Sequence, residues 1–277
     1  MAIHLISLIK PIAKRGDRMR KIIVIIVLLV VSIGTLMGVF MEEELTAQQF
    51  GFSGEVNTVK IEIVKLGAEL MISDPEILTF NRAGFLVSRE TDGARTKYTY
   101  DDLERLITKE FVDEEGSVFQ RVDIYYDGDF YDAVAYDESG IELERTRYWY
   151  DTDERTLVFS ILTETGVSTN TLFFDESGRK LESYSIVREN IPELETDVYI
   201  VVESKFSYDS YGSLNGERMI VRIRKEGQEQ ATEYRKRVDI LSRDEKGNPV
   251  REFHRTEFLD GSNPPEEFIY SREFSYY

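Results

Sequence analysis

A short phrase recurs along the chain: an aromatic or aliphatic residue, then Asp, Asn or Thr, two variable positions, and Gly. It reads Phe80-Asn81-Arg82-Ala83-Gly84, Tyr136-Asp137-Glu138-Ser139-Gly140, Phe174-Asp175-Glu176-Ser177-Gly178 and Tyr208-Asp209-Ser210-Tyr211-Gly212. Looser copies are Val112-Asp113-Glu114-Glu115-Gly116, Leu162-Thr163-Glu164-Thr165-Gly166 and Arg243-Asp244-Glu245-Lys246-Gly247. The phrase is a hairpin corner. An Asp at the first position of a type I turn accepts hydrogen bonds from backbone N–H groups two and three residues on, and the Gly takes a left-handed conformation that other residues resist. A type I turn followed by such a Gly makes a bulged hairpin loop whose twist matches the flanking strands. The expected role of Asn81, Gly84, Asp113, Gly116, Asp137, Gly140, Thr163, Gly166, Asp175, Gly178, Asp209, Gly212, Asp244 and Gly247 is therefore structural.

Between corners the residues alternate. Val118, Gln120, Val122, Ile124 and Tyr126 share one face, as do Val198, Ile200 and Val202, and Met219, Val221 and Ile223. Asp101, Asp127 and Asp151 follow a Tyr but lack the Gly. Most gaps between anchors hold one strand and one turn. Val56 to Leu66 alternates as a lead-in strand, broken at Ser73-Asp74-Pro75, and is expected to cap one end. The expected fold class is all-β: one antiparallel β-hairpin repeat sheet, coiling or solenoid-like. A single hairpin cannot bury its own face, so the units must stack.

Ile22 to Met41 contains no charged residue. Its length spans about 30 Å as a helix, the thickness of a bilayer's hydrocarbon. Lys10, Lys14, Arg15, Arg18, Arg20 and Lys21 precede it and Glu42-Glu43-Glu44 follow. The positive-inside rule then gives a cytoplasmic basic segment (1–21), a transmembrane signal anchor (22–41), a tether (42–55) and an extracytoplasmic β-repeat domain (56–277), periplasmic or at the cell surface. A cleaved signal peptide is the alternative. The apolar core is long for one, and the candidate cuts after Gly38 and Ala47 place Leu36 and Leu45 where a small residue belongs. Met19 is a second candidate start.

The net charge is −18 although the first 41 residues are basic, so the remainder is more acidic still. Such a body repels phosphate backbones, and nucleic acid is excluded as a partner. There is no Cys, which excludes disulfides, zinc thiolates and thiol catalysis. No sequence motif implies a cofactor or a metal.

The run Thr91-Asp92-Gly93-Ala94-Arg95-Thr96-Lys97-Tyr98-Thr99-Tyr100-Asp101-Asp102-Leu103-Glu104-Arg105-Leu106 resembles a YD repeat, the building block of Rhs-type proteins, with Glu104 where that family has Gly. Phe173-Phe174-Asp175-Glu176-Ser177-Gly178-Arg179-Lys180-Leu181 keeps the Gly-Arg pair. The likeness covers roughly residues 78–277. It implies a spiralling β-sheet on a bacterial surface, without carrying the toxic domain that some members enclose. The degenerate tyrosine-glycine repeats of bacteria are similar too.

Chemistry is sparser. His254 lies on a strand with Val250 and Glu252 on its face, a position that suits a cross-strand polar partner better than a general base lacking an orienting group. Asp127, Asp129 and Asp132, and Asp151, Asp153 and Glu154, offer carboxylates to calcium, but turn capping already accounts for the leading Asp. Tyr148, Trp149 and Tyr150 form a dense aromatic cluster, read either as core or as an exposed contact patch. The sequence thus points to a membrane-anchored, YD-repeat-like protein with a non-enzymatic binding or scaffolding role in the bacterial cell envelope. Its candidate partners are the membrane through Ile22 to Met41 and an envelope glycan or protein. The alternatives are a glycan-active enzyme using paired carboxylates and an accessory partner of a secreted toxin.

Overall fold

The structure is a computed structural model and describes residues 45–67, 71–162, 166–191, 196–225, 228–259 and 264–277. Strands follow one another without a helix among the described residues. They are β1 (Val56–Leu66), β2 (Met71–Ile72), β3 (Glu76–Phe80), β4 (Leu86–Thr91), β5 (Ala94–Tyr100), β6 (Leu106–Val112), β7 (Val118–Asp127), β8 (Phe130–Asp137), β9 (Glu142–Asp151), β10 (Thr156–Leu162), β11 (Gly166–Phe174), β12 (Lys180–Ile191), β13 (Thr196–Tyr208), β14 (Leu214–Lys225), β15 (Gln228–Arg243), β16 (Pro249–Phe258) and β17 (Glu266–Tyr276).

From β3 onward each strand pairs antiparallel with the next. β1 pairs with β17 on one side and with β3 on the other, and β2 extends the β3 line beside β1. First and last strands therefore meet, and the sheet closes into an antiparallel barrel of sixteen strands. This corrects the expected coiling or solenoid-like sheet. It also corrects the role given to Val56–Leu66, which completes the ring rather than capping an end. The reason is the cost of edges: an open stack leaves two rows of unpaired backbone groups, and joining β1 to β17 removes both. The helix expected at Ile22 to Met41 lies outside the described residues. Among those described, no helix is long and apolar enough to cross a membrane.

Successive side chains point to opposite faces of a strand. The inward face is the core, with Val59 and Ile61 of β1, Leu78 and Phe80 of β3, Val122 and Ile124 of β7, Tyr148 of β9, Phe159 of β10, Leu172 of β11 and Ile200 of β13 all buried. The outward face is charged and ion-paired from strand to strand. Arg95 meets Glu90 at 2.7 Å, Arg147 meets Asp132 at 2.7 Å, and Arg218 meets Glu233 at 2.7 Å.

The corners have one geometry. Asp101, Asp137, Asp175, Asp209 and Asp244 accept through Oδ1 from the N–H groups two and four residues on. The second donor is the fourth residue, not the third. The third N–H, at the Gly, is already given to the carbonyl of the Asp itself. Gly140 and Gly212 sit at φ 78° and 84°, and Glu104 takes the same left-handed position at φ 62°. The turn residues 163–165 lie outside the described residues.

Half of the corners gather at one end of the barrel, where Arg adds a second tie. Arg105 pairs with Asp101 of its own corner and lies 4.4 Å from the Tyr126 ring of the next Tyr-Asp unit. Arg179 does the same with Asp175 and Tyr208, at 4.9 Å from the ring. Both tyrosine hydroxyls then donate backward, Tyr126 to the Leu106 carbonyl at 2.9 Å and Tyr208 to that of Lys180 at 2.8 Å. Burial pushes the Tyr126 hydroxyl up to about 12.

Residues 45–55 lie across this end. The Ala47 N–H donates to the Gly84 carbonyl, the Gln49 amide to that of Gly178, and the Asn248 amide to that of Ser53. Phe52 packs edge-on against Phe80 and Phe274, with centroids 6.3 and 5.1 Å away.

Candidate functional site

Among the described strands, β10 and β11 form an uncharged stretch of the outer wall. β10 reads Thr156-Leu157-Val158-Phe159-Ser160-Ile161-Leu162 and β11 ends Thr169-Asn170-Thr171-Leu172-Phe173-Phe174, without a charged residue in either run. Alternation sends Val158 and Ser160, with Thr169, Thr171 and Phe173, outward. Register aligns Trp149 of β9 with Val158, Val158 with Thr171, and Thr171 with Tyr184 of β12. Phe130 of β8 stands beside Trp149, and Ile186 beside Thr169. The result is a window of rings, methyls and hydroxyls flanked by ion-paired strands. Phe130 is 44% exposed, Trp149 38%, Phe173 38%, Tyr184 37% and Ile186 39%.

The rim is ion-paired. Arg147 and Asp132 close one side at 2.7 Å, while Lys205 with Glu182 at 2.8 Å and Arg222 with Glu203 at 2.7 Å close the other. The Arg147 guanidinium holds the Asp132 carboxyl below its ordinary value. Where the window meets that second rim, across β11, β12 and β13, the surface dips into a shallow groove of about 380 Å³ lined by Thr171, Phe173 and Tyr184 together with Glu182, Glu203 and Lys205.

The structure separates the aromatic cluster read from the sequence. Tyr148 points inward, fully buried, stacked on Tyr131 at 4.7 Å and 4.8 Å from the Phe159 ring. Tyr150 pairs with the buried Leu157. Trp149 alone faces outward, and its neighbours in the window come from β8, β11 and β12. The sequence signal for those neighbours is the charge-free stretch, which composition by segment exposes. Of the carboxylate groups, Asp132 serves Arg147 and Asp151 caps its own turn. Among the described residues no group of three or more His, Asp or Glu converges as metal ligands would.

A second cluster lies inside the barrel at its seam. Glu252 and His254 of β16 are bonded at 2.7 Å through Nε2, and Arg272 of β17 holds the same carboxylate oxygen at 2.9 Å. The Tyr270 ring stacks on the imidazole at 3.9 Å. His254 thus finds its polar partner two residues away on its own strand rather than across the ladder, where Arg272 bonds Glu252 and Tyr270 stacks on the ring. Burial pushes the imidazole below its ordinary value, helped by Lys236 and Arg272 and opposed by Glu252. Burial pushes the Glu252 carboxyl up, but the His254 bond and Arg272 outweigh it and leave it below the ordinary value. A neutral imidazole therefore donates from Nε2 to an ionised carboxylate. Nδ1 is left buried without a hydrogen-bond partner.

No protein-family model matches the chain, and no curated protein matches it. Solved structures with some likeness include a porin-like protein from Bacteroides vulgatus ATCC 8482, at TM-score 0.40 and 12% identity over 81% of this chain and 99% of that one. A porin-like protein from Bacteroides uniformis ATCC 8492 follows at TM-score 0.32 and 10% identity, over 80% and 99%. TcdB2-TccC3 without its hypervariable C-terminal region gives 0.27 and 12%, over 71% of this chain and 14% of that chain. Likenesses this remote carry no argument about function; closure of the sheet rests on this chain's own strand pairs.

These findings correct the functional expectation. A YD-repeat scaffold displayed as an open sheet and tethered by a helix does not describe a closed barrel, and neither do its Rhs-like and signal-anchor labels. No family or sequence match supports YD membership. The single-pass localisation, with a helical anchor and an extracytoplasmic body, is withdrawn with it: the described fold is built of strands alone, and Ile22 to Met41 lie outside it.

Proposed function

We infer that the chain is a binding protein: a closed barrel with a water-facing outer wall, used as a rigid frame for one contact face, the uncharged window over β8–β12. The observation that carries this reading is the contrast on the outer wall itself. A barrel that crosses a bilayer needs an apolar outer band about 25 Å tall, and an Arg or Lys facing lipid at mid-depth costs about 2–4 kcal/mol. This wall carries Arg145, Arg147, Arg218, Arg222 and Arg235 on its outward face, so lipid contact around the ring is strongly disfavoured. Exposed aromatic patches on an otherwise charged surface mark interaction sites. In this reading the YD-like corner phrase is a hairpin-building unit and brings no function of its own.

Trp149 is the only tryptophan, so its emission reports on this face alone. The full chain reconstituted in vesicles of brominated-acyl lipid is expected to show unquenched Trp149 emission and no ion conductance. Strong quenching or stepwise conductance would mean that the wall faces lipid, and the reading would fail.

A further inference from the structure

We propose that the outer wall over β13–β15 carries a binding site for a phosphate monoester, centred on Gly216 and held by Lys205, Arg218 and Arg235. It lies beyond the rim of the uncharged window and does not rest on that reading.

Register brings the cations together. On the outward face Lys205 stands opposite Arg218, and Arg218 opposite Arg235. In the next outward row, Ser207 stands opposite Gly216 and Gly216 opposite Arg237. Like charges directly opposite one another in a ladder are destabilising. At other places the register sets opposite charges face to face, as at Arg95 and Glu90, Arg147 and Asp132, and Arg224 and Glu229. The row of Lys205, Arg218 and Arg235 departs from that plan.

Gly216 makes room beside the row. The surface dips there into a groove of about 370 Å³ bordered by Lys205, Ser207, Arg218, Arg235, Arg237 and the neutral Asn215. Phe206, Glu217 and Lys236 border it too, but alternation turns their side chains to the barrel interior. A Cβ on Gly216 would stand 2.9 Å from the Ser207 hydroxyl and 3.3 Å from the Lys236 carbonyl oxygen. The hairpin does not ask for Gly at this place. After the corners at Asp101, Asp137 and Asp175 the matching position, just past the same register shift, holds Thr108, Glu144 and Glu182. Nor is the Gly216 backbone left-handed. Glycine inside a strand weakens it, and it marks places where a ligand comes close.

The cations keep donors to spare. Arg218 gives Nε and Nη2 to Glu233 at 2.7 and 3.0 Å, which leaves Nη1. Lys205 meets Glu182 at 2.8 Å with one of its three ammonium hydrogens, and Arg237 is held by Asp239 at 2.8 Å. Glu257 stands opposite Arg235 on β16 but is taken by Arg255 at 2.7 Å. Among the described residues Arg235 is left without an ion pair. The Ser207 hydroxyl adds a donor, now placed on a long bond of 3.3 Å to the Gly216 carbonyl.

A set made of donors and cations suits a ligand that only accepts and carries more than one negative charge. A phosphate monoester above its second pKa of about 6 carries nearly two charges on three acceptor oxygens, and the Arg fork matches its geometry. A carboxylate or a sulfate ester brings a single charge. The net charge of −18 repels long polyanions. It does not rule out one small group, because charges beyond about 8 Å are largely screened at physiological salt and the adjoining cations set the local field.

The test is a calorimetric titration of the full chain, in neutral detergent at pH 8, with phenyl phosphate against phenyl sulfate and acetate. Saturable uptake of phenyl phosphate is expected, weaker at about 0.5 M than at about 0.05 M NaCl. Arg235→Gln should weaken it about ten-fold, the worth of one charged hydrogen bond, while melting no lower than the parent because the row loses a repulsion. Gly216→Ala should weaken it too, by filling the notch. No saturable uptake of phenyl phosphate at about 10 mM, equal uptake of phenyl sulfate or acetate, or unchanged affinity in Arg235→Gln would overturn the proposal. Phosphatidylcholine vesicles doped with phosphatidic acid then name the source. Their capture assigns the ester to a lipid head group, and phenyl phosphate uptake without capture assigns it to a soluble molecule.

Discussion

The barrel has a seam side and a far side, and the two are built on opposite plans. At the seam, β16, β17, β1, β3 and β4 line the interior with ions: Glu252, His254 and Arg272, then Lys65 with Glu266 at 2.8 Å and Glu76 with Arg89 at 2.5 Å. On the far side, β8 to β12 line it with stacked rings and small polar groups: Tyr131, Tyr148 and Phe159, then Asn170 bonded to Ser168 at 3.0 Å. Outside, the pattern inverts, with Lys60 and Glu62 paired on β1 and no charge on β10 or the described part of β11. The far side is made of consecutive hairpins whose register the corners fix. The β1–β17 joint brings together strands from the two ends of the described fold and has no turn to set its register. Lys65 with Glu266 crosses it, while Glu252, His254 and Arg272 tie β16 to β17 and Glu76 with Arg89 ties β3 to β4, each a consecutive pair of strands. Apolar side chains slide past one another; paired ions of fixed spacing do not. Buried ions are a costly way to gain stability and a well-attested way to specify register. On the seam side, then, ions tie neighbouring strands on both flanks of the closing joint and Lys65 with Glu266 ties the joint itself, whereas the far side presents an uncharged face outward.

The largest effect should come from breaking the seam cluster. Arg272→Met leaves the Glu252 carboxylate buried with His254 as its main partner. A loss of about 3–5 kcal/mol is expected by urea unfolding, partly recovered by adding Glu252→Gln. A loss below about 1 kcal/mol would mean that this cluster does not hold β16 to β17. Next come two glycines in the same backbone state. Gly51 and Gly140 lie at φ 75° and 78°. A Cβ on Gly51 would stand 2.7 Å from the Gly212 carbonyl oxygen, whereas one on Gly140 meets nothing within 4 Å. Gly140→Ala should cost about 1–2 kcal/mol, the left-handed penalty alone, and Gly51→Ala clearly more. Equal losses would show that residues 45–55 are not held against the corners.

Much of this was legible in the sequence. Asp137 and Gly140 announce a corner, and Val122 with Ile124 announce the inward face. Both are local signals, written within a few residues. The β1–β17 pairing is not local: no residue near Val59 marks Phe274 as its partner, so an open sheet and a closed one read alike until the strands are placed. The site was half legible. Trp149 stood out by type, but Tyr148 and Tyr150 were grouped with it although alternation must send them to the other face. Phe173 and Tyr184 join the window only through register, and their uncharged setting is a property of segments rather than of residues.

The pH dependence of stability near neutrality should come from His254, while at acid pH Glu252 shares it with Asp101, Asp132, Asp175 and Asp244, whose carboxyls also lie below their ordinary values. The folded-state value of His254 is below the ordinary 6.5, and that of Glu252 is below 4.5. Between the depressed and ordinary values the unfolded chain binds more protons than the folded one, so stability rises with pH in that interval. The His254 contribution is complete above about pH 6.5 and declines as pH falls below it; that of Glu252 declines further down, below about pH 4.5. His254→Gln should flatten the upper part of the profile and leave the lower part. An unchanged slope between pH 6.5 and 5 would place the titrating group elsewhere.

The smallest expected effect is on the far side and is the sharpest statement of the contrast. Trp149, Phe173 and Tyr184 are each more than a third exposed, and their window borders no buried ion. Replacing an exposed side chain away from caps, cavities and paired charges changes stability within about 0.5 kcal/mol. Tyr184→Ala should therefore leave the urea midpoint nearly where it was, while removing the face on which binding depends. A frame whose closure is fixed at the seam can tolerate change on the opposite wall. If Tyr184→Ala instead destabilised the barrel as much as Arg272→Met, the window would be part of what holds the fold together, and the division of labour between the two sides would be gone.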